Sequence, residues 1–179
     1  PGVNEAEARY IEEAHALEDS RSTHKSSGSL LNFFRFKSVW GMCIGWMSFG
    51  ILFTGMITWL PNYLNQAYKL NIKELGGATF LIYISGFIGE MVGGYIADAW
   101  KSRGGSPNVI MRTLFGIAAC VTTLSIFLVA YVTDAVTAVA LLCCALFFLR
   151  WCGLYWSLPM TLGGRDRAGF LGGIMNLSG

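Results

Sequence analysis

Residues 38–68 read SVWGMCIGWMSFGILFTGMITWLPNYLNQAY, without one charged side chain. A helix crosses the ~30 Å hydrocarbon core of a bilayer with roughly 20 apolar residues. The stretch exceeds that requirement, and it also exceeds the 11–12 residues of a mean soluble helix. The aromatic pair Trp59 and Tyr63 stands near its far end, where amphipathic rings favour the membrane–water boundary.

Three more stretches have the same character. Residues 113–133 carry no charge; 75–97 contain only Glu90, and 135–164 only Arg150. Four such segments in succession leave no polar surface for a soluble fold. The composition agrees, with 54% hydrophobic and 13% charged residues, against about a quarter charged in soluble domains. The expected fold is an all-α polytopic membrane helix bundle over 38–179. Its helices are expected near 39–64, 74–100, 109–132 and 136–162, with a fifth beginning at 168 and truncated. A tight turn is expected at Thr133 and Asp134, and a loop over 163–167.

Residues 1–37 are polar. An acidic helix is expected over 5–19, a Ser-rich linker over 20–29, and a basic amphipathic surface segment, LLNFFRFK, over 30–37. The chain starts at Pro1 without Met and ends inside an apolar run, which leads to the expectation of a piece cut from a longer transporter. A net charge of +2 gives no footprint for nucleic acid.

Basic residues set the expected orientation. Arg9, Arg21, Lys25, Arg35, Lys37, Lys101, Arg103, Arg112, Arg165 and Arg167 fall on one side, and only Lys69 and Lys73 on the other. Cytoplasmic loops carry the excess, so the N-terminal segment is expected in the cytoplasm.

Two charges remain inside the membrane. A carboxylate or guanidinium there costs several kcal/mol on insertion scales. Glu90 shares a helical stripe with Gly86, Gly89, Gly93 and Ala97, small residues that allow close helix approach. Glu90 and Arg150 therefore read either as an ion or substrate site, or as a neutralised structural pair. Around Arg150 lie Trp151, Tyr155, Trp156 and Ser157, a set suited to lipid-facing packing or to a sugar-binding wall. Asn176 is an amide in an apolar helix, expected buried and in need of a partner. The cysteines Cys43, Cys120, Cys143, Cys144 and Cys152 all lie in apolar stretches without ligand spacing, so no metal or cofactor is expected. Both histidines, His15 and His24, sit in the polar segment, which leaves a membrane-embedded enzyme without a catalytic cluster.

Several strings in order resemble the major facilitator superfamily, in particular its anion:cation symporters of sugar acids such as hexuronates, glucarate and galactonate. TWLPNYL at 58–64 looks like the end of that group's seventh helix. Gly86-Phe87 and GGYIAD at 93–98, followed by Lys101 and Arg103, look like its eighth helix and the cytoplasmic motif after it. Trp156-Ser157 resembles the tenth helix, GGIMN at 172–176 the eleventh, and EAEARYI at 5–11 the acidic start of the preceding loop.

The resemblance implies helices seven to ten and part of eleven of a C-terminal half. It implies proton-coupled symport of an organic anion by alternating access, in a bacterial inner membrane, not an enzymatic reaction. The expected partners are a small organic anion, a proton, the lipid bilayer and the N-terminal six-helix half. Family positions fall on Trp156 and Asn176 as substrate contacts, with Tyr155 in place of a smaller Ser or Thr and Trp46 in place of a Gln. Arg150 joins this substrate-facing set, with Glu90 as the ion-coupling or structural carboxylate. Gly94, Asp98, Lys101 and Arg103 form the motif expected to steer conformational exchange. Trp46 and Tyr155 keep open a transporter of neutral or aromatic substrates, and a non-transporting membrane sensor shares the same expected fold.

Overall fold

Every apolar stretch becomes a helix long enough for a bilayer core. The computed structural model describes residues 4, 9, 10, 12, 13 and 30–179, apart from the side chains at 30–32, 165 and 166. The chain divides into two units, Pro1–Arg35 and Phe36–Gly179. In the first unit a 3-10 turn spans Leu30–Arg35. The acidic helix expected over 5–19 and the linker over 20–29 lie almost wholly outside the described residues.

The second unit is all helical. Helix α1 is Lys37–Tyr68, α2 is Ile72–Ser102, α3 is Pro107–Val129 and α4 is Ala135–Leu149. A 3-10 segment, Arg150–Ser157, continues α4 into α5, Leu158–Ser178. Four membrane spans result: α1, α2, α3 and Ala135–Gly164.

Local chemistry sets the ends. Lys69 closes α1 in the left-handed region (φ 51°), its N–H bonded to the Asn65 carbonyl. Asn71 and Glu74 form a reciprocal capping box at the start of α2. Pro107 opens α3 at a position where its missing N–H costs nothing. Asp134 caps α4 by accepting from the backbone N–H and the hydroxyl of Thr137, each at 2.9 Å. The turn between α3 and α4 thus begins at Ala130, earlier than the expected Thr133.

In lipid, helices associate through close packing and interhelical hydrogen bonds more than through the hydrophobic effect. The α2 glycines supply the packing. A Cβ on Gly89 would run into the carbonyl oxygen of Phe147, one on Gly86 would come within 2.9 Å of Leu146, and one on Gly93 within 2.8 Å of Trp151. Ser85 donates across the same seam to the Cys143 carbonyl at 3.0 Å. These partners keep a near-constant separation along the chain, so α2 runs parallel to α4 and its 3-10 extension. Helix α3 connects them in the chain and runs the opposite way, and Thr122 ties it to the Ala145 carbonyl of α4 at 3.2 Å.

Prolines explain two irregularities. Pro61 cannot donate to the Ile57 carbonyl one turn earlier. That carbonyl accepts from the Tyr83 hydroxyl of α2 in a long bond of 3.4 Å. Pro159 likewise leaves the Tyr155 carbonyl without its usual donor, and Leu158 bonds it instead in the tighter 3-10 pattern. Mid-helix 3-10 winding of this kind often accompanies a hinge.

The loop expected over 163–167 is replaced by a single break at Gly164 (φ 62°, ψ −172°). Only glycine adopts this conformation readily. The chain turns back there: Gly163 packs on Leu171, and Gly172 lies near Pro159. The far end of α5 reaches α1, where Ser178 donates to the Cys43 carbonyl at 3.2 Å.

Candidate functional site

The two intramembrane charges meet. The Arg150 guanidinium is ion-paired to Glu90 across the α2 seam. Arg150 falls at the middle of the span Ala135–Gly164, and Phe53, at the middle of α1, lies 5.0 Å beneath the guanidinium. A cation over a ring face is attracted by the ring quadrupole. Glycines make the room: a Cβ on Gly86 would crowd the Arg150 stem at 3.2 Å, and one on Gly153 would stand 2.6 Å from a Glu90 carboxylate oxygen. Both side chains remain partly open, 26% for Arg150 and 43% for Glu90. The pair is therefore neutral as a unit and only partly covered by this chain.

Aromatic rings extend from this centre. Trp46, Phe49 and Phe53 recur at helical spacing on one face of α1. Their centroids are 5.0 Å apart for Trp46–Phe49 and 5.4 Å for Phe49–Phe53. Trp46 meets Trp156 edge-on at 5.4 Å and Tyr155 at 6.0 Å. Tyr155 in turn stacks on Phe115 of α3 at 4.3 Å.

Of the residues singled out in the sequence, the fold thus gathers Glu90 with Arg150, and Trp46 with Tyr155 and Trp156. Asn176 differs from expectation. It is exposed, not buried, because α5 turns Met175 inward and Ser178 toward α1. No hydrogen bond or ring contact joins Asn176 to Trp156 among the described residues. The antiparallel return at Gly164 nevertheless places Asn176 about level with Tyr155, four residues beyond the Gly172–Pro159 contact.

Phe53, Phe49 and Gly153 were not singled out by the sequence reading. The spacing of 46, 49 and 53 is the signal for the two phenylalanines. A glycine three residues after Arg150, on the same helix face, is the signal for Gly153.

The motif residues lie at the other end of α2. Gly94 faces open space, in contrast to its neighbour Gly93. Asp98, Lys101 and Arg103 are exposed and make no ion pair among the described residues. An open groove runs beside them between Tyr95, Trp100 and Arg103, about two helical turns from Glu90.

Comparison with known proteins gives this arrangement its context. A "Probable sulfoacetate transporter" of Cupriavidus necator is 31% identical over 164 residues, covering 88% of this chain and 36% of that protein. A "Probable L-galactonate transporter" of Escherichia coli is 31% identical over 149 residues, 81% of this chain and 32% of the relative. A "Probable galactarate/D-glucarate transporter" of Bacillus subtilis is 28% identical over 185 residues, 100% of this chain and 40% of the relative. The chain thus spans about a third to two fifths of the length of these relatives. Residues 6–179 match the sequence pattern of the Major Facilitator Superfamily. With four apolar membrane-spanning helices, this chain is an integral, multi-pass membrane protein that belongs to the Major Facilitator Superfamily.

Proposed function

We propose that the full-length protein moves a small organic anion, such as a sugar acid, through the membrane by proton-coupled symport with alternating access. In this reading the chain is one half of the transporter and meets a second six-helix half across the substrate path. Arg150 receives the anionic group, and Trp46, Tyr155, Trp156 and Asn176 line the path. Glu90 is the coupling carboxylate, and Gly94, Asp98, Lys101 and Arg103 govern exchange between the two conformations.

The mid-span Glu90–Arg150 pair carries the proposal. An uncompensated charge at mid-membrane depth is costly. The empty pair is neutral. With a proton on Glu90 and a substrate anion on Arg150, the site is neutral again. With either one alone it bears a net charge, and the conformational change is disfavoured. Coupling follows from that balance. The relatives named for galactonate and glucarate support an organic anion as cargo.

The test is proton entry into proteoliposomes on addition of hexonates, sulfoacetate and aromatic carboxylates, with protein-free liposomes as the permeation control. At least one anion should drive proton entry. Glu90→Gln should abolish it while leaving anion exchange intact. If no anion in the panel moves with or without protons, the reading fails; if anions move without protons, the coupling fails.

A further inference from the structure

We infer that Gly153 is a positioning residue for proton coupling: by lacking a side chain it lets the Glu90 carboxylate sit against Arg150 when the carrier is empty. This role presupposes the proton-coupled reading above and adds a residue outside the set named there. It stands on three features: what fills the place of the missing Cβ, the backbone at Gly153, and the winding of the segment that carries it.

The space beside Gly153 belongs to Glu90. The three heavy atoms nearest to an added Cβ are all from the Glu90 side chain, Oε1 at 2.6 Å, Cδ at 3.4 Å and Cγ at 3.5 Å. Oε1 is not the oxygen that pairs with the guanidinium, since Arg150 Nη2 donates to Oε2. Gly153 thus backs one oxygen of the carboxylate while Arg150 holds the other. A Cβ at 153 would push the carboxylate away from the very segment that bears Arg150. Turning the carboxylate about its Cγ–Cδ bond relieves Oε1 only by swinging Oε2 as well, because both oxygens lie in one plane.

The backbone does not require glycine here. Gly104 and Gly164 are the glycines at positive φ among the described residues, and Gly153 is not one of them. The atom in the way is the end of a flexible side chain, in contrast to Gly89, which meets the Phe147 backbone. An alanine at 153 is therefore accommodated by the fold, and the ion pair takes the change.

The 3-10 winding brings Gly153 to this place. With three residues per turn, residues i and i+3 eclipse one another. Arg150 and Gly153 therefore lie on one line along the segment Arg150–Ser157, about 6 Å apart at 2.0 Å per residue. In α-winding they would diverge by about 60°, and Gly153 would no longer stand in line with Arg150 on the side facing Glu90.

The pair matters in one part of the transport cycle. The empty carrier returns as a neutral unit, with the carboxylate on the guanidinium, because separated charges at this depth are costly. In the loaded carrier the proton is on Glu90 and the anion on Arg150, and the seat of Glu90 matters less. That proton comes from bulk water, forms one O–H bond on the carboxylate, and returns to bulk water on release. Exchange of anion for anion uses the loaded carrier alone, whereas net uptake also needs the empty return. Displacing Glu90 from Arg150 slows the second and spares the first.

The experiment uses the full-length protein in proteoliposomes, with D-galactonate, sulfoacetate and phenylacetate as probes. Each is followed as net uptake with proton entry and as exchange of labelled anion. For a probe that the wild type moves with protons, Gly153→Ala should slow net uptake at least about tenfold and leave exchange within about threefold of wild type. Gly153→Ser, with the same Cβ, is the second variant should Gly153→Ala fail to fold. In a Glu90→Gln background Gly153→Ala should change exchange by no more than about twofold. Net uptake and exchange falling together, both rates unchanged, a large effect in the Glu90→Gln background, or failure of both variants to fold overturns the role of Gly153 while proton coupling stands. A wild type that moves none of the three anions, or moves them without protons, removes the proton-coupled reading and the role of Gly153 with it.

Discussion

Arg150 and Glu90, sixty residues apart in the chain, form one ion pair between the fourth span and α2, with the Phe53 ring of α1 beneath the guanidinium at 5.0 Å. Three helices therefore converge on one neutral unit in the middle of the membrane. Each charge is costly there alone, so the pair adds a polar tie between α2 and the fourth span at the register their close glycine contacts set.

Removing one partner leaves the other charged and unpaired, whereas removing both does not. Arg150→Met alone in the full-length protein should lower stability by about 1–3 kcal/mol, below the fully buried case because both side chains are partly open. The double variant Glu90→Gln/Arg150→Met should recover more than half of that loss. Thermal unfolding in detergent reads the cycle. Strictly additive single effects would mean that the pair contributes nothing to stability.

Close approach at Gly89 gives a second prediction. Its missing Cβ is replaced by the Phe147 backbone, which has no side-chain rotamer to give way. Gly89→Ala should therefore cost about 1–3 kcal/mol through forced separation of α2 and α4. Gly116→Ala on α3 meets nothing within 4 Å and should be neutral or stabilising by up to about 1 kcal/mol, the helix propensity gain. Equal effects at the two positions would contradict the packing account.

The carbonyl freed by Pro61 can be tested by a cycle of its own. Tyr83→Phe removes the donor to the Ile57 carbonyl and should cost about 0.5–1 kcal/mol, at the low end for a bond this long. In a Pro61→Ala background the regained backbone N–H serves that carbonyl, so Tyr83→Phe should become nearly silent. A cost unchanged by the background would show that the hydroxyl acts elsewhere.

The spans and both intramembrane charges were legible because charge-free runs of bilayer length have few other readings. The pairing of Glu90 with Arg150 stood in the sequence only as one of two readings, since deciding it depends on the register between parallel helices far apart in sequence. That register is set by Gly86, Gly89 and Gly93 meeting Leu146, Phe147 and Trp151, contacts that periodicity marks as close without naming a partner. Pro159 signalled an irregularity, but not that 3-10 winding would run from Arg150 to Ser157. The run GGRDR looked like a loop by composition, yet one glycine at positive φ suffices to turn the chain. Asn176 looked buried because its neighbours are apolar, and helix phase decided otherwise.

Asp134 supplies a pH dependence outside the membrane. The Thr137 backbone N–H, and then its hydroxyl, hold this carboxyl below the ordinary aspartate range. A carboxylate with a lowered folded pKa adds stability that is fully present above the unfolded value of about 3.9, and loses it as pH falls through the folded value. Unfolding of the wild type should therefore show no contribution from this cap to pH dependence between about 5 and 8, and a loss below about 4. Asp134→Ala should lower stability at neutral pH and flatten the acid limb. Asp134→Asn should retain much of the cap, because an amide oxygen also accepts. An acid limb unchanged in Asp134→Ala would assign that limb to other carboxylates.

Membrane orientation follows from the basic residues, and the fold indicates where to probe it. Lys69 and Lys73 are the basic residues at the turn between α1 and α2, Lys73 in the first turn of α2, whereas Lys101 and Arg103 stand beside the turn between α2 and α3. Cytoplasmic loops retain the basic excess, so the first turn should lie outside and the second inside. Asn71 is a poor reporter, because its side chain caps α2. Lys73 is exposed and forms no cap, and Ser106 is exposed with no side-chain bond at the start of α3. The five cysteines of this chain all fall within the spans, so an impermeant maleimide in intact cells should leave them largely unmodified, and the protein without the added cysteine gives the background from any others. Under the proposed orientation Lys73→Cys should label in intact cells, and Ser106→Cys only after the membrane is opened. The opposite pattern would invert the protein in the membrane and place Asp98, Lys101 and Arg103 on the outer face.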